Sequence, residues 1–215
     1  MASKNHGLTM NQINTENIII DILSSVILVI RNFFGLIFYP YRSMRKISQE
    51  RDYGQILTVF VLVFVYFKFA YFLRSDPYPA SFIFLIFSLN LFVMVLFFYL
   101  IAKATKPNTD FAPFLFTLTY SLFPTLLWFA SNSLLYLLVP PPRTLSFLGK
   151  AFSGFYLAYS FSLLVWKLIL VYLSLRFSSK FSFFRIFYMF ILFLVWFIPY
   201  SFLLYRLKIF RTPFI

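Results

Sequence analysis

Five long apolar runs constrain this chain more than any other feature of its sequence. They cover residues 56–73, 80–102, 111–138, 151–175 and 186–205. Each run is near or above the roughly 18 residues that indicate a membrane-spanning helix. A helix satisfies its own backbone hydrogen bonds in hydrocarbon, whereas an open sheet edge does not. The runs therefore predict an all-α fold, a polytopic integral membrane helical bundle with five transmembrane helices.

Short polar or proline-rich segments separate these runs. They lie at residues 74–79, 103–110, 140–143 and 176–185. Connections this short join neighbouring helices that run antiparallel. The composition agrees, because only 12% of the residues are charged, whereas soluble domains average about 25%. The length suits one membrane domain, residues 56–205, rather than two.

The positive charge indicates how the chain is oriented in the membrane rather than nucleic-acid binding. The formal net charge is +13, but the cations lie in short segments between apolar runs, where they set topology and meet lipid phosphates. Counting Lys and Arg gives nine on the side that carries residues 38–55 and six on the opposite side. This bias favours residues 38–55, and with them the N-terminus, in the cytoplasm. We expect no nucleic-acid partner.

The segment before the first run divides into three parts. Residues 1–17 are predicted to form a disordered polar tail, and they lack the pattern of a signal peptide. Residues 18–38 are long enough to span, but polar or small residues recur along one narrow stripe at helical spacing. They are Asp21, Ser24 or Ser25, Arg31 or Asn32, and Gly35. This stripe favours an interfacial amphipathic helix over a spanning one, and both readings stay open. Residues 39–55 form a basic cytoplasmic collar.

The collar is the predicted lipid-binding surface. Its cations are Arg42, Arg45, Lys46 and Arg51. Clusters of this kind next to a membrane helix attract anionic lipid head groups. A protein partner would meet residues 1–55, and an oligomer is compatible with the pattern. Residues 206–215 form a second basic segment, a C-terminal tail.

Polar side chains on the third and fourth runs predict an intramembrane polar seam. On the fourth run, residues of this kind recur every seven positions, and the third run has a comparable face. The seam comprises Thr117, Tyr120, Ser121, Pro124, Ser153, Ser160, Lys167 and Ser174. Such a seam can bind a head group or pass a solute, or it can be a packing contact with Lys167 extended toward the interface. The packing reading is favoured, because no acidic residue follows Asp110 to pair with Lys167.

Catalytic constellations are missing from the sequence. The chain has no Cys, and its one His is His6 in the polar tail. Thiol chemistry, thiolate metal sites and histidine-based proton transfer inside the bundle are therefore excluded. The sequence also lacks a glycine-rich phosphate loop. We expect no cofactor, no metal and no enzymatic activity.

Three segments carry a family resemblance. They are Tyr39–Ile47, Thr119–Pro124 and Trp166–Arg185. Together they resemble the Yip family of Ypt/Rab-GTPase-interacting membrane proteins. The likeness lies in a proline-to-basic lead-in, a stretch similar to the family's Gly-Tyr-x-x-x-Pro signature, and a tryptophan followed by a Ser and basic turn. Thr119 stands where that signature has glycine. The resemblance implies a five-span protein with a cytoplasmic N-terminus that acts through partners and membrane shape, and the lack of a long acidic N-terminal domain favours a bacterial form in the cytoplasmic membrane.

These observations lead to one main hypothesis and one alternative. The main hypothesis is a non-enzymatic membrane-organising or scaffold protein of the Yip type that acts through partner and lipid contacts. The alternative is a small-solute or lipid transporter, or a transporter subunit, that uses the polar seam between spans three and four. A membrane enzyme acting on lipid is a weaker third reading, because no acidic pair lies at one membrane face.

Overall fold

The computed structural model describes residues 7–73, 78–138 and 147–209. Within these ranges the chain forms helices and no strand. The helices are α1 (Gly7–Phe38), α2 (Pro40–Ile47), α3 (Tyr53–Leu73), α4 (Ala80–Thr105), α5 (Phe111–Tyr120), α6 (Phe123–Leu138), α7 (Phe147–Ser179) and α8 (Phe183–Arg206).

The helices confirm the predicted polytopic helical membrane architecture. In the part of the chain that the structure describes, six stretches are long and apolar enough to cross a bilayer. They are Ile20–Phe38, Tyr53–Leu73, Ala80–Thr105, Phe111–Leu138, Gly149–Ser179 and Phe183–Arg206. The last five match the predicted runs. By length and composition, the stretch predicted as an interfacial helix is a sixth candidate span.

Most helices extend beyond the apolar runs that predicted them. α4 continues to Thr105 and α7 to Ser179, past Lys103 and Arg176 respectively. Cations in a last turn interact favourably with the negative end of the helix dipole, so the helix does not stop where hydropathy falls. At the other terminus, α1 begins at Gly7, although residues 1–17 were predicted to be disordered. Residues 8–17 contain no proline, and a helix formed downstream can extend through them at little cost.

The third of the five predicted runs, which we call the third span, is divided into two helices. It was predicted as one helix over 111–138, but α5 ends at Tyr120 and α6 begins at Phe123. Pro124 explains the break, because it has no amide hydrogen to donate to the Tyr120 carbonyl and is tolerated in the first turn of a helix. Residues 116–125, around this break, are all buried. The third span is therefore the centre of the bundle.

Two hydrophobic clusters form the core. The larger one joins α3, α4, α7 and α8 around the third span, through side chains such as Phe87, Phe98 and Phe193. The smaller one joins α1 and α2 to α3, α5 and α7. Large apolar side chains also cover much of the outer surface of the helices. An apolar exterior of this extent is expected where the solvent is lipid.

α1 packs against the amino-terminal end of α3. The Ser25 hydroxyl donates to Asp52 Oδ2 (2.7 Å), and Asn32 Nδ2 donates to Gln55 Oε1 (3.2 Å). The two α1 positions are about 10 Å apart along the helix axis, yet their partners lie within one turn of each other. Side-chain hydrogen bonds therefore attach α1 to the start of α3.

Candidate functional site

The predicted seam is closely packed at the end nearest the collar. Thr117, Ser121 and Ser174 are fully buried there. The Thr117 and Ser178 hydroxyls are 2.9 Å apart, and the Ser174 hydroxyl donates to the Thr117 carbonyl oxygen (2.9 Å). These hydroxyls therefore join α5 directly to α7. Such contacts act as interhelical hydrogen bonds in membrane proteins.

Three further seam residues lie in different settings. Trp128 Nε1 donates to the Ser160 hydroxyl (3.2 Å), so Ser160 faces α6. Pro124 is buried at the break in the third span. Ser153 is exposed, and its hydroxyl donates to the Gly149 carbonyl of its own helix (2.9 Å). The structure therefore brings Ser160 and Ser174 to the third span and leaves Ser153 outside the contact.

Lys167 lies apart from the packed seam. It is partly buried and lines a cavity between α4, α7 and α8. Among the described residues it has no hydrogen bond or ion pair. An ionised lysine near mid-bilayer costs about 2.5–3.5 kcal/mol or more without a partner. Of the predicted seam residues, Lys167 alone lines this cavity.

A cluster of polar side chains where α1, the collar and α5 meet was not predicted as a unit. It consists of Asn32 from α1, Gln55 and Glu50 from the start of α3 and the link before it, and Tyr120 from α5, and we call it the polar junction. Asn32 Nδ2 lies 2.9 Å from Glu50 Oε2 and 3.2 Å from both Gln55 Oε1 and the Tyr120 hydroxyl. The Tyr120 hydroxyl donates to Gln55 Oε1. Three elements distant in sequence therefore meet through side-chain hydrogen bonds.

Burial makes these hydrogen bonds important. The exposed fractions are 3% for Asn32, 1% for Gln55 and 0% for Tyr120. Gln55 Nε2 has no partner among the described residues, whereas the other amide and phenol atoms of the junction are bonded. On its outer edge, Glu50 Oε1 is 3.3 Å from Arg31 Nη2. Removing one member would leave buried polar atoms unsatisfied, which costs about 1–3 kcal/mol per group.

A second contact fixes α1 beside the junction. Asp52 caps α3 by accepting from the Gly54 amide nitrogen (3.0 Å) and also accepts from Ser25. A Cβ atom at Gly54 would collide with the Ser25 hydroxyl. The absence of a side chain at Gly54 therefore allows the close approach of α1 to α3.

The chemistry of the junction is structural. Its bonded atoms belong to two amides, a phenol and one carboxylate. In the residues that the structure describes, no group of three or more His, Cys, Asp or Glu side chains could hold a metal ion. The stripe on α1 was a sequence signal for Asn32, and Tyr120 was placed in the seam. Their pairing with Gln55 had no local signal, because Tyr120 is 65 residues from Gln55 and 88 from Asn32.

Within the collar, α2 is an amphipathic helix whose apolar side chains are buried in the core. Met44 and Ile47 of α2 are 0% exposed and belong to the smaller core cluster. Arg42, Arg45 and Lys46, on the opposite face of α2, are exposed. Arg51 lies 3.8 Å from Asp110, but both side chains are largely exposed, and a pair of this kind contributes little to stability.

Other cations lie at the same end of the bundle as the collar. α4 and α7 end there, and α5 and α8 begin there, as the ring contact between Tyr41 and Phe177 (4.9 Å) also shows. We call this surface the basic end. Besides the collar cations, it includes Arg31, Lys103, Lys106, Arg176, Lys180 and Arg185. The acidic residues near it are Glu50, Asp52 and Asp110, so cations predominate.

No family model, curated protein or solved structure matches the chain. The function is therefore inferred from the chain's own residues.

Proposed function

We propose that this chain is a non-enzymatic membrane-organising or scaffold protein of the Yip type, acting through lipid and partner contacts at its basic end. The observation that carries the proposal is the structure of α2. Its apolar face is fixed in the core by Met44 and Ile47, while its cations point outward. A surface held in this way presents positive charge to lipid phosphates or to an acidic partner without reactive groups nearby.

A test of lipid preference uses the full-length protein in vesicles that contain spin-labelled lipid. Spin-labelled phosphatidylglycerol should be retained at the protein surface more strongly than phosphatidylcholine. Replacing Arg42, Arg45 and Lys46 together by Gln should reduce this preference several-fold, because each cation near the surface contributes about 1 kcal/mol. The preference should also fall at about 1 M salt, where the Debye length is about 3 Å.

The opposite end of the bundle supplies the matched control. Lys150, Arg206 and Lys208 are also exposed cations, at the start of α7 and the end of α8. Their joint replacement by Gln removes the same charge and should leave most of the preference intact. An equal loss in the two triple variants would show that net charge, rather than the collar, attracts the lipid.

The proposal includes five spans, with α1 in the interface and the basic end in the cytoplasm of a bacterial cytoplasmic membrane. It is supported by the contacts of α1, whose Ser25 and Asn32 side chains are turned toward residues 50–55. Side chains on its other face, such as Ile20 (62% exposed) and Phe34 (58% exposed), are free to enter lipid. An apolar face of this kind can be buried at the boundary between head groups and acyl chains.

Cysteine labelling tests this topology, because the chain has no Cys. Gln49 and Asp21 are both exposed, so Gln49→Cys and Asp21→Cys should react with a membrane-impermeant maleimide from the cytoplasmic side. Lys150→Cys should react only from the opposite side. Labelling of Asp21→Cys from the side opposite to Gln49→Cys would mean that α1 spans the membrane.

The transporter alternative receives little support from the seam that it requires. Thr117, Ser121 and Ser174 are buried in direct contact between α5 and α7, which leaves no aqueous path along that face. Flux measurements in proteoliposomes test this alternative directly. A saturable flux of a solute that disappears in Lys167→Ala would overturn the scaffold proposal.

A further inference from the structure

The cavity beside Lys167 has the lining of a binding site for an apolar molecule. Its volume is about 340 Å³, and it lies between α4, α7 and α8. Leu122, in the break between α5 and α6, contributes to its wall, and the rest of the wall is aliphatic and aromatic except for Asn90 and Lys167. Ligand pockets typically measure about 300–1,000 Å³ and have apolar walls with a few polar groups. We call this space the lysine cavity.

The two polar side chains both offer hydrogen-bond donors. Asn90 Oδ1 already accepts from the Tyr200 hydroxyl (2.7 Å), and no described residue accepts from the Asn90 amide group. The Lys167 ammonium likewise has no acceptor among the described residues. A ligand that complements this wall carries an acceptor, and the positive charge favours an anionic one.

The depth of Lys167 restricts the size of the ligand. Lys167 lies nine residues before Arg176, the first cation of α7 toward the basic end, and so about 13 Å below it along the helix axis. Phospholipid phosphates lie outside the hydrocarbon core, at the level of such cations. A two-chain lipid would leave its phosphate at that level, whereas a single-chain amphiphile can enter whole and place its head group at Lys167.

We propose that the lysine cavity binds a long-chain fatty acid, with the carboxylate at Lys167 Nζ and the hydrocarbon chain among side chains such as Phe87, Phe98 and Phe193. This inference goes beyond the proposed scaffold function. The collar and the cavity use different residues, so charge-removing variants of the collar should leave fatty-acid binding unchanged. Failure of one proposal is thereby distinguishable from failure of the other.

The test uses the purified full-length chain in phosphatidylcholine nanodiscs. The probe is palmitic acid carrying a diazirine in its chain, and peptide mapping locates the photolabelled residues. Labelling should saturate and should map to α4, α7 and α8. Unlabelled palmitic acid should displace the probe at least tenfold better than palmitic acid methyl ester, which has the same chain and no negative charge.

Variants at Lys167 separate the charge from the cavity. Lys167→Met replaces the cation by an uncharged side chain of similar length. It should weaken the binding of palmitic acid at least tenfold, to the level of the ester, whereas Lys167→Arg should retain most of the affinity. Lys68→Met is the matched control, because Lys68 is a cation in α3 that does not line the cavity. Leu194→Trp should fill the cavity and abolish labelling by the acid and displacement by the ester alike.

Each other outcome would overturn the proposal. Labelling that never saturates and spreads over all lipid-facing helices would indicate surrounding lipid only. Equal displacement by the acid and the ester in the unmodified protein would remove the role of the charge, even if the Lys167 variants failed to fold. Displacement by phosphatidylglycerol better than by palmitic acid would assign the site to a two-chain lipid.

Discussion

The polar junction and the lysine cavity both place polar side chains inside a membrane protein, but with opposite outcomes. In the junction, Asn32, Gln55 and Tyr120 exchange hydrogen bonds across three elements. In the cavity, Lys167 faces an apolar wall and has no partner among the described residues. Buried polar groups with partners specify how helices pack, whereas a buried cation without one marks a place where a partner can bind.

The largest expected effect is at the junction. Asn32→Ala removes the donor that serves Glu50, Gln55 and Tyr120. We expect a loss of about 3 kcal/mol in the free energy of unfolding, because several buried atoms lose a partner. Equilibrium unfolding in mixed detergent micelles measures it. Asn108→Ala, in an exposed turn between α4 and α5, is the control and should change stability by less than about 0.5 kcal/mol.

At the lysine cavity, we expect a substitution to raise the free energy of unfolding instead of lowering it. Lys167→Met removes an unpaired cation from the apolar part of the bundle and should raise the free energy of unfolding by about 1–2 kcal/mol. The same unfolding assay, without added fatty acid, measures the change. A marked loss of stability in Lys167→Met would mean that the lysine has a structural partner, and the contrast with the junction would then fail.

Substitutions of two glycines should have the smallest effects on stability, and they compare a closely packed helix contact with an open one. Gly54→Ala places a methyl group against Ser25 and should lower the unfolding free energy by about 1 kcal/mol. Gly154→Ala, on α7, meets no atom within 4 Å and should raise it by about 0.5–1 kcal/mol through helix propensity. Equal effects at the two positions would contradict the close approach of α1 to α3.

The sequence predicted the helical spans well because hydropathy over about 20 residues is a local signal. It also contained Pro124, yet predicted one helix over 111–138, because apolar residues continue on both sides of the break. The polar junction could not be predicted from a local signal, since its contacts join residues up to 88 positions apart. A repeat of seven placed Ser174 and Lys167 on one face, but that repeat drifts by about 20° per heptad on a straight helix. The two positions are also about 10 Å apart along the helix axis, so they meet different neighbours. Ser174 contacts α5, and Lys167 lines the cavity.

The break between α5 and α6 is a point where the third span is less stiff than a continuous helix. Tyr120, at the end of α5, belongs to the junction, and Leu122, two residues later, lines the lysine cavity. The backbone between them lacks the hydrogen bond that Pro124 cannot donate. Tilting α6 against α5 therefore costs less at this point than bending an unbroken helix. Along the chain, this break therefore separates a member of the polar junction from a wall residue of the lysine cavity by only two positions.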